Sequence, residues 1–135
     1  MSSKDCAARA LAAASSPLAA TGITIIVRLA DRSSGNAPQR FDIVVDPHQI
    51  NLKSHEGYMK GSLYLAFVQC TVTGRVLAAK QEKGDLILDE ADYRSALSNG
   101  LVLAREWVLK SGSEQLRIAL CDGSSDNIGS IEENQ

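Results

Sequence analysis

Three sets of side chains in this sequence are of types that can do chemistry. The first is Asp122-Gly123-Ser124-Ser125-Asp126-Asn127. Asp122, Ser124 and Asp126 alternate like the opening ligands of a calcium loop. An EF-hand needs glycine at the sixth position and glutamate at the twelfth, but Asn127 and Glu133 stand there. Asp, Ser and Asn also cap their own turn backbone, which is enough to account for the cluster. The second set is His48 and His55, the only two histidines. Neither has a carboxylate at metal-ligand spacing, and His55-Glu56 lacks the second histidine of a zincin helix, so both read as exposed loop residues. The third is Cys6, Cys70 and Cys121. An odd, sparse count without CxxC describes neither a disulfide scaffold nor a zinc site. Cys70 and Cys121 each end a predicted strand, so they could be neighbours, bridged or as two thiols.

Other acids and aromatics have plainer roles. Asp89, Glu90 and Asp92 complement a helix N-terminus. Asp46, at the end of its strand, could pair with another carboxylate in space. Trp107, Tyr64 and Phe67 alternate with apolar neighbours and read as core anchors. No GxSxG, P-loop or GxGxxG occurs. The reading is therefore not an enzyme, with no catalytic, cofactor or metal residue assigned.

The elements that would position these groups are mostly strands. Leu116, Ile118 and Leu120 alternate with Gln115, Arg117 and Ala119, which predicts a strand with one buried and one wetter face. Residues 122–127 turn the chain into a return strand through Ile128 and Ile131. Upstream, Ile23, Ile25, Val27 and Leu29 alternate with Thr24, Ile26, Arg28 and Ala30. Phe41, Ile43 and Val45 form the next strand, ending at Asp46-Pro47; Ile50 and Leu52 suit a short continuation. Residues 62–71 are apolar on both faces and predict a central strand. Thr73-Gly74 turns the chain into a partner over 75–80, and Leu86–Leu88 forms a separate short strand. Asp89 caps a short helix over about 89–98, and Asn99-Gly100 stops it. A strand from Leu101 to Leu109 follows. Loops fall at 31–38, 53–61 and 122–127. An Ala-rich helix over 3–14 opens the chain and ends before Pro17.

The fold class is therefore all-β: an immunoglobulin-like antiparallel β-sandwich of 7–8 strands, with one short helix and an Ala-rich N-terminal helix. Residues 1–20 form a helical segment or linker, 21–132 the sandwich, and 133–135 a polar tail. With 135 residues and 44% hydrophobic content, the chain can bury a single core. Aromatics are only 4%, so that core is aliphatic. A net charge of -2 and pI near 5.6 leave no basic excess for nucleic acid. The longest apolar run, Gly22–Val27, is too short to insert in a membrane. Asp5 and Arg9 interrupt what would be the apolar segment of a signal peptide.

Several stretches, taken in order, carry a resemblance. They are Leu18-Ala19-Ala20-Thr21-Gly22-Ile23, Asp46-Pro47-His48-Gln49-Ile50, Thr73-Gly74-Arg75-Val76, Leu86-Ile87-Leu88-Asp89 with Tyr93, and Asn99-Gly100-Leu101. Gly112, Gln115-Leu116-Arg117-Ile118-Ala119-Leu120, Asp122 and Ile128-Gly129-Ser130 complete the pattern. Over about residues 15–131 the chain resembles the C-terminal domain of bacterial, acidobacterial-type VWFA-related proteins. Glu114, Cys70 and Cys121 depart from that pattern. The resemblance implies a β-sandwich following a von Willebrand A-type domain, a secreted or cell-surface location, and binding rather than catalysis. The adhesion motif Asp-x-Ser-x-Ser belongs to the upstream domain and is not in this chain, so no metal residue carries over. The implied partner is a protein, which the upstream A-type domain would satisfy. The loops at 31–38, 53–61 and 122–127 are the expected recognition surfaces. The alternative reading is a small-ligand or carbohydrate-binding β module, calcium-assisted through Asp122 and Asp126. Low aromatic content counts against sugar stacking.

Overall fold

The computed structural model describes residues 3–16, 18–29 and 38–134. Its elements are α1 (Ser3–Ser15), β1 (Ile25–Leu29), β2 (Gln39–Val45), a 3-10 turn (Pro47–Gln49), β3 (Lys53–His55), β4 (Tyr58–Cys70), β5 (Val76–Leu88), α2 (Glu90–Asn99), β6 (Leu101–Trp107), β7 (Gln115–Asp122) and β8 (Ile128–Asn134). Two antiparallel sheets face each other. One has the order β1-β2-β6. The other runs β3-β4-β7-β8, with β5 on the remaining side of β4. The predicted all-β sandwich is present at this level.

The core forms because period-two strands from both sheets turn their apolar phase inward. Ile25, Phe41, Ile43, Val45, Leu101 and Leu103 of the smaller sheet meet Leu63, Leu65, Phe67, Leu116, Ile118 and Leu120 of the larger. Phe67 stands at the centre, edge-on to Phe41 (6.0 Å) and Trp107 (5.8 Å). Each such side chain contributes about 1.5–3 kcal/mol when fully buried. The buried amide of Gln69 is satisfied: Nε2 donates to the Val108 carbonyl (3.1 Å) and Oε1 accepts from the Lys110 N–H (2.7 Å).

Some boundaries differ from the sequence reading. The expected loop at 53–61 contains the β3–β4 hairpin, turned by Glu56 (φ 52°) and Gly57 (φ 84°). Ile50 and Leu52 follow a 3-10 turn rather than forming a strand. The partner of β4 does not break at Lys80. β5 runs unbroken to Leu88, pairing from Cys70↔Val76 to Met59↔Leu88. Its Lys80-to-Asp85 stretch looks like a linker in sequence because β5 is an edge strand, where charge discourages further pairing. β8 runs on to Asn134, through residues expected as tail. Of the loop at 31–38, only Pro38 lies within the described residues.

The face of β7 expected to be wet is buried. Arg117 is 8% exposed and Ala119 fully buried because α1 lies across them. Cys6, Ala10 and Ala14 recur every four residues and pack on Ala66, Val68, Ala119 and Cys121. Cys6 and Cys121 are joined in a disulfide (Cα–Cα 5.6 Å), and Cys70 is a buried free thiol. This corrects the placing of Cys70 beside Cys121. In the β4–β7 register Cys70 faces Gln115 and Tyr64 faces Cys121, so the two cysteines sit at opposite ends of the strand pair, about 20 Å apart at the usual strand rise.

Candidate functional site

The expected recognition loop at 122–127 is a built turn. The Asp122 side chain is buried, and its carboxylate is spent on the protein itself. Oδ2 accepts from the Asn51 N–H (2.7 Å) and the Ser125 hydroxyl (2.6 Å), and Oδ1 accepts from the Ser124 N–H (3.1 Å). The Asp126 N–H closes the turn on the Asp122 carbonyl (3.0 Å), with Asp126 at φ 66°. Asn127 Nδ2 donates to the Gln49 carbonyl (3.3 Å). The cluster that resembled calcium ligands thus ties the β7–β8 turn to residues 49–51. Among the described residues, no group of three or more His, Cys, Asp or Glu side chains converges as metal ligands would.

His48 lines a hollow with Asn51 and Asn127, and His55 sits on the β3–β4 hairpin. Asp46 is the N-cap of the 3-10 turn. Its carboxylate accepts from the His48 N–H (2.9 Å) and contacts His48 Nδ1 (2.9 Å). The backbone hydrogen bond, then the imidazole, hold the Asp46 carboxyl below its usual pKa. Ser125 lines the same shallow hollow as His48. An acid, an imidazole and a hydroxyl invite comparison with a nucleophilic triad. However, the Ser125 hydroxyl donates to buried Asp122, and the Asp46 and His48 side chains are well exposed to water. His55 approaches its neighbour Glu56 (3.6 Å), at the exposed hairpin tip.

The feature that sequence reasoning missed is on the outer face of the three-stranded sheet. Register places Ile26, Val44 and Val102 in one row across β1, β2 and β6. All three belong to the phase turned away from the core. Ile26 is 51% exposed, Val102 50% and Val44 7%. Val44 is sheltered because the end of α2 closes on it. Asp89 caps that helix through the Asp92 N–H (2.8 Å), and the Gly100 N–H ends it on the Ala96 carbonyl (2.8 Å). Gly100 has φ 88°, and a Cβ there would fall 2.6 Å from Val44 Cγ1, so glycine permits the approach. The result is a groove of about 300 Å³, with Val44 on its floor, Ile26 and Arg28 on one wall, and Leu97 with Asn99 on the other.

The next row along the sheet is charged. Arg28, Asp42 and Ala104 are in register, followed by Arg40 opposite Glu106. Arg40 and Asp42 approach to 3.9 Å. An apolar strip bordered by mixed charge suits contact with a protein surface, where apolar area supplies affinity and the charges set orientation. The signal in the sequence was Ile26, an apolar residue in the polar phase of its strand. Its alignment with Val44 and Val102 depends on pairing that sequence does not reveal. No helix among the described residues is long and apolar enough to cross a membrane. Compared with known proteins, the chain matches no family model and no curated protein sequence.

Proposed function

We propose that this chain is a non-enzymatic, immunoglobulin-like β-sandwich that acts as a protein-interaction module through the outer face of its three-stranded sheet. The observation that carries this reading is the apolar row Ile26–Val44–Val102. It spans every strand of that sheet, and no described helix lies over Ile26 or Val102, whereas α1 covers the corresponding face of the other sheet. Two half-exposed β-branched side chains flanking a sheltered third in one row mark a contact surface better than scattered ones do. The partner would be a protein segment offering apolar side chains to the groove. The resemblance to the C-terminal domain of VWFA-related proteins supports the same class of function. It also proposes an upstream A-type domain as partner and a secreted or cell-surface setting.

Calcium-assisted ligand binding has less support, since Asp122 already satisfies three protein donors. Catalysis has less support still, since the Asp46–His48 pair stands in water and the Ser125 hydroxyl is committed elsewhere. The test is photo-crosslinking in the producing cell from a benzoylphenylalanine placed at Val102, with Lys83 on β5 as control position. A discrete adduct from Val102 alone, lost when Ile26→Asp is added, is the expected result. Equal adducts from both positions, or none from Val102, would refute the proposal.

A further inference from the structure

The helix α1 lies flat on the five-stranded sheet, and its two ends are fastened differently. Past its C-terminal end the chain is held by Ser130: the Ala20 N–H donates to Ser130 Oγ (2.7 Å) and the Ser130 N–H to the Ala20 carbonyl (3.0 Å). Arg117 adds a long contact from Nη1 to the Ser15 carbonyl (3.4 Å). At the N-terminal end the fastening is covalent, through Cys6–Cys121.

The contact between these ends is weak. The residues that α1 buries fully are the small Cys6, Ala10 and Ala14, with Leu11 and Ala13 partly buried beside them, and an alanine buries one methyl group. Polar ties along its length include Arg9 Nη1 to the Asp126 carbonyl and Gln81 Nε2 to the Ala7 carbonyl, both 3.1 Å and both at the surface. A helix of 13 residues is marginal without tertiary support. The main core, meanwhile, contains no residue of α1; the helix packs in a separate cluster. The sandwich therefore does not depend on the helix for its interior.

We infer that the Cys6–Cys121 bridge is a redox latch: a dithiol reductant opens it, α1 leaves the outer face of the five-stranded sheet, and the sandwich stays folded. The reductant passes two electrons and two hydrogens to the bridge. The S–S bond becomes two thiols, and the reductant closes to its own disulfide. Both cysteines are buried, so attack follows opening of the first turn of α1, where Cys6 lies. What is uncovered is a strip of Ala66, Val68, Ala119 and Cys121, with Arg117 beside it. Cys70 is too far along the strand pair to exchange into the bridge.

The experiment is hydrogen exchange by mass spectrometry on the full chain, before and after dithiothreitol, and again after reoxidation. On reduction, the amides of α1 are expected to exchange faster by about tenfold or more, while those of β4 and β7 keep their protection. Reoxidation restores the slow rates. Cys6→Ala, without reductant, exchanges like the reduced protein. Unchanged exchange in α1 on reduction overturns the inference. So does loss of protection in β4 and β7 together with α1, which means global unfolding. A starting protein with all three cysteines free also overturns it.

Discussion

Replacing Asp122 by alanine tests whether the β7–β8 turn is a structural knot. The carboxylate accepts three hydrogen bonds from residues 51, 124 and 125. A hydrogen bond to a charged acceptor contributes about 1.5–3 kcal/mol net. Ser124 and Asn51 are exposed residues, so water can replace part of what their N–H groups lose. Removal of the carboxylate should then cost about 2–4 kcal/mol in all. For a chain of this size that lowers the thermal midpoint by about 6–12 °C. Urea unfolding followed by circular dichroism gives the free energy directly, provided the slope is unchanged. Ser125→Ala alone should cost about 1 kcal/mol. The double variant should be less destabilised than the sum of the two, by about 1 kcal/mol, because both remove the same bond. A loss below about 1 kcal/mol for Asp122→Ala would refute the reasoning, as would strict additivity with Ser125→Ala.

Two further predictions concern the neighbouring groups. Asp46 has a lowered pKa in the folded state, chiefly through the His48 N–H, so its contribution is present above the unfolded carboxyl value near 3.8 and fades as pH falls through the folded one. Asp46→Asn should be less stable than wild type at neutral pH and converge with it in acid, as denaturant titrations at both pH values will show. Because both oxygens of Asp122 already accept hydrogen bonds from the protein, calcium and chelator should leave the thermal midpoint of the oxidised protein unchanged. A calcium-dependent rise that Asp122→Ala abolishes would instead establish a cation site.

How much of this was legible from residues alone differs by element. The strands whose inward phase is aliphatic, such as Leu116-Ile118-Leu120, are clear because burial on one face imposes period two. The α2 helix is clear because Asp89 and Gly100 supply both of its stops. The strand β5 is obscured where it becomes a charged edge, since an edge lacks the apolar signature of a buried strand. The β3–β4 hairpin is obscured because Lys53–His55 are wholly exposed. The other face of β7 is obscured for a different reason. Alternation reports what a strand offers, and α1, more than a hundred residues away in sequence, decides that Arg117 is buried beside Glu132 (3.7 Å). The cysteine pairing belongs to the same class of long-range fact. So does the apolar row, because Ile26, Val44 and Val102 become one surface only through the β1-β2-β6 order.

The central claim is that this row is a contact surface, and crosslinking from Val102 addresses it most directly. The account predicts one discrete protein adduct at Val102, none at Lys83, and its loss with Ile26→Asp while the thermal midpoint stays within a few degrees of wild type. No adduct from Val102, or an adduct that survives Ile26→Asp, would contradict it.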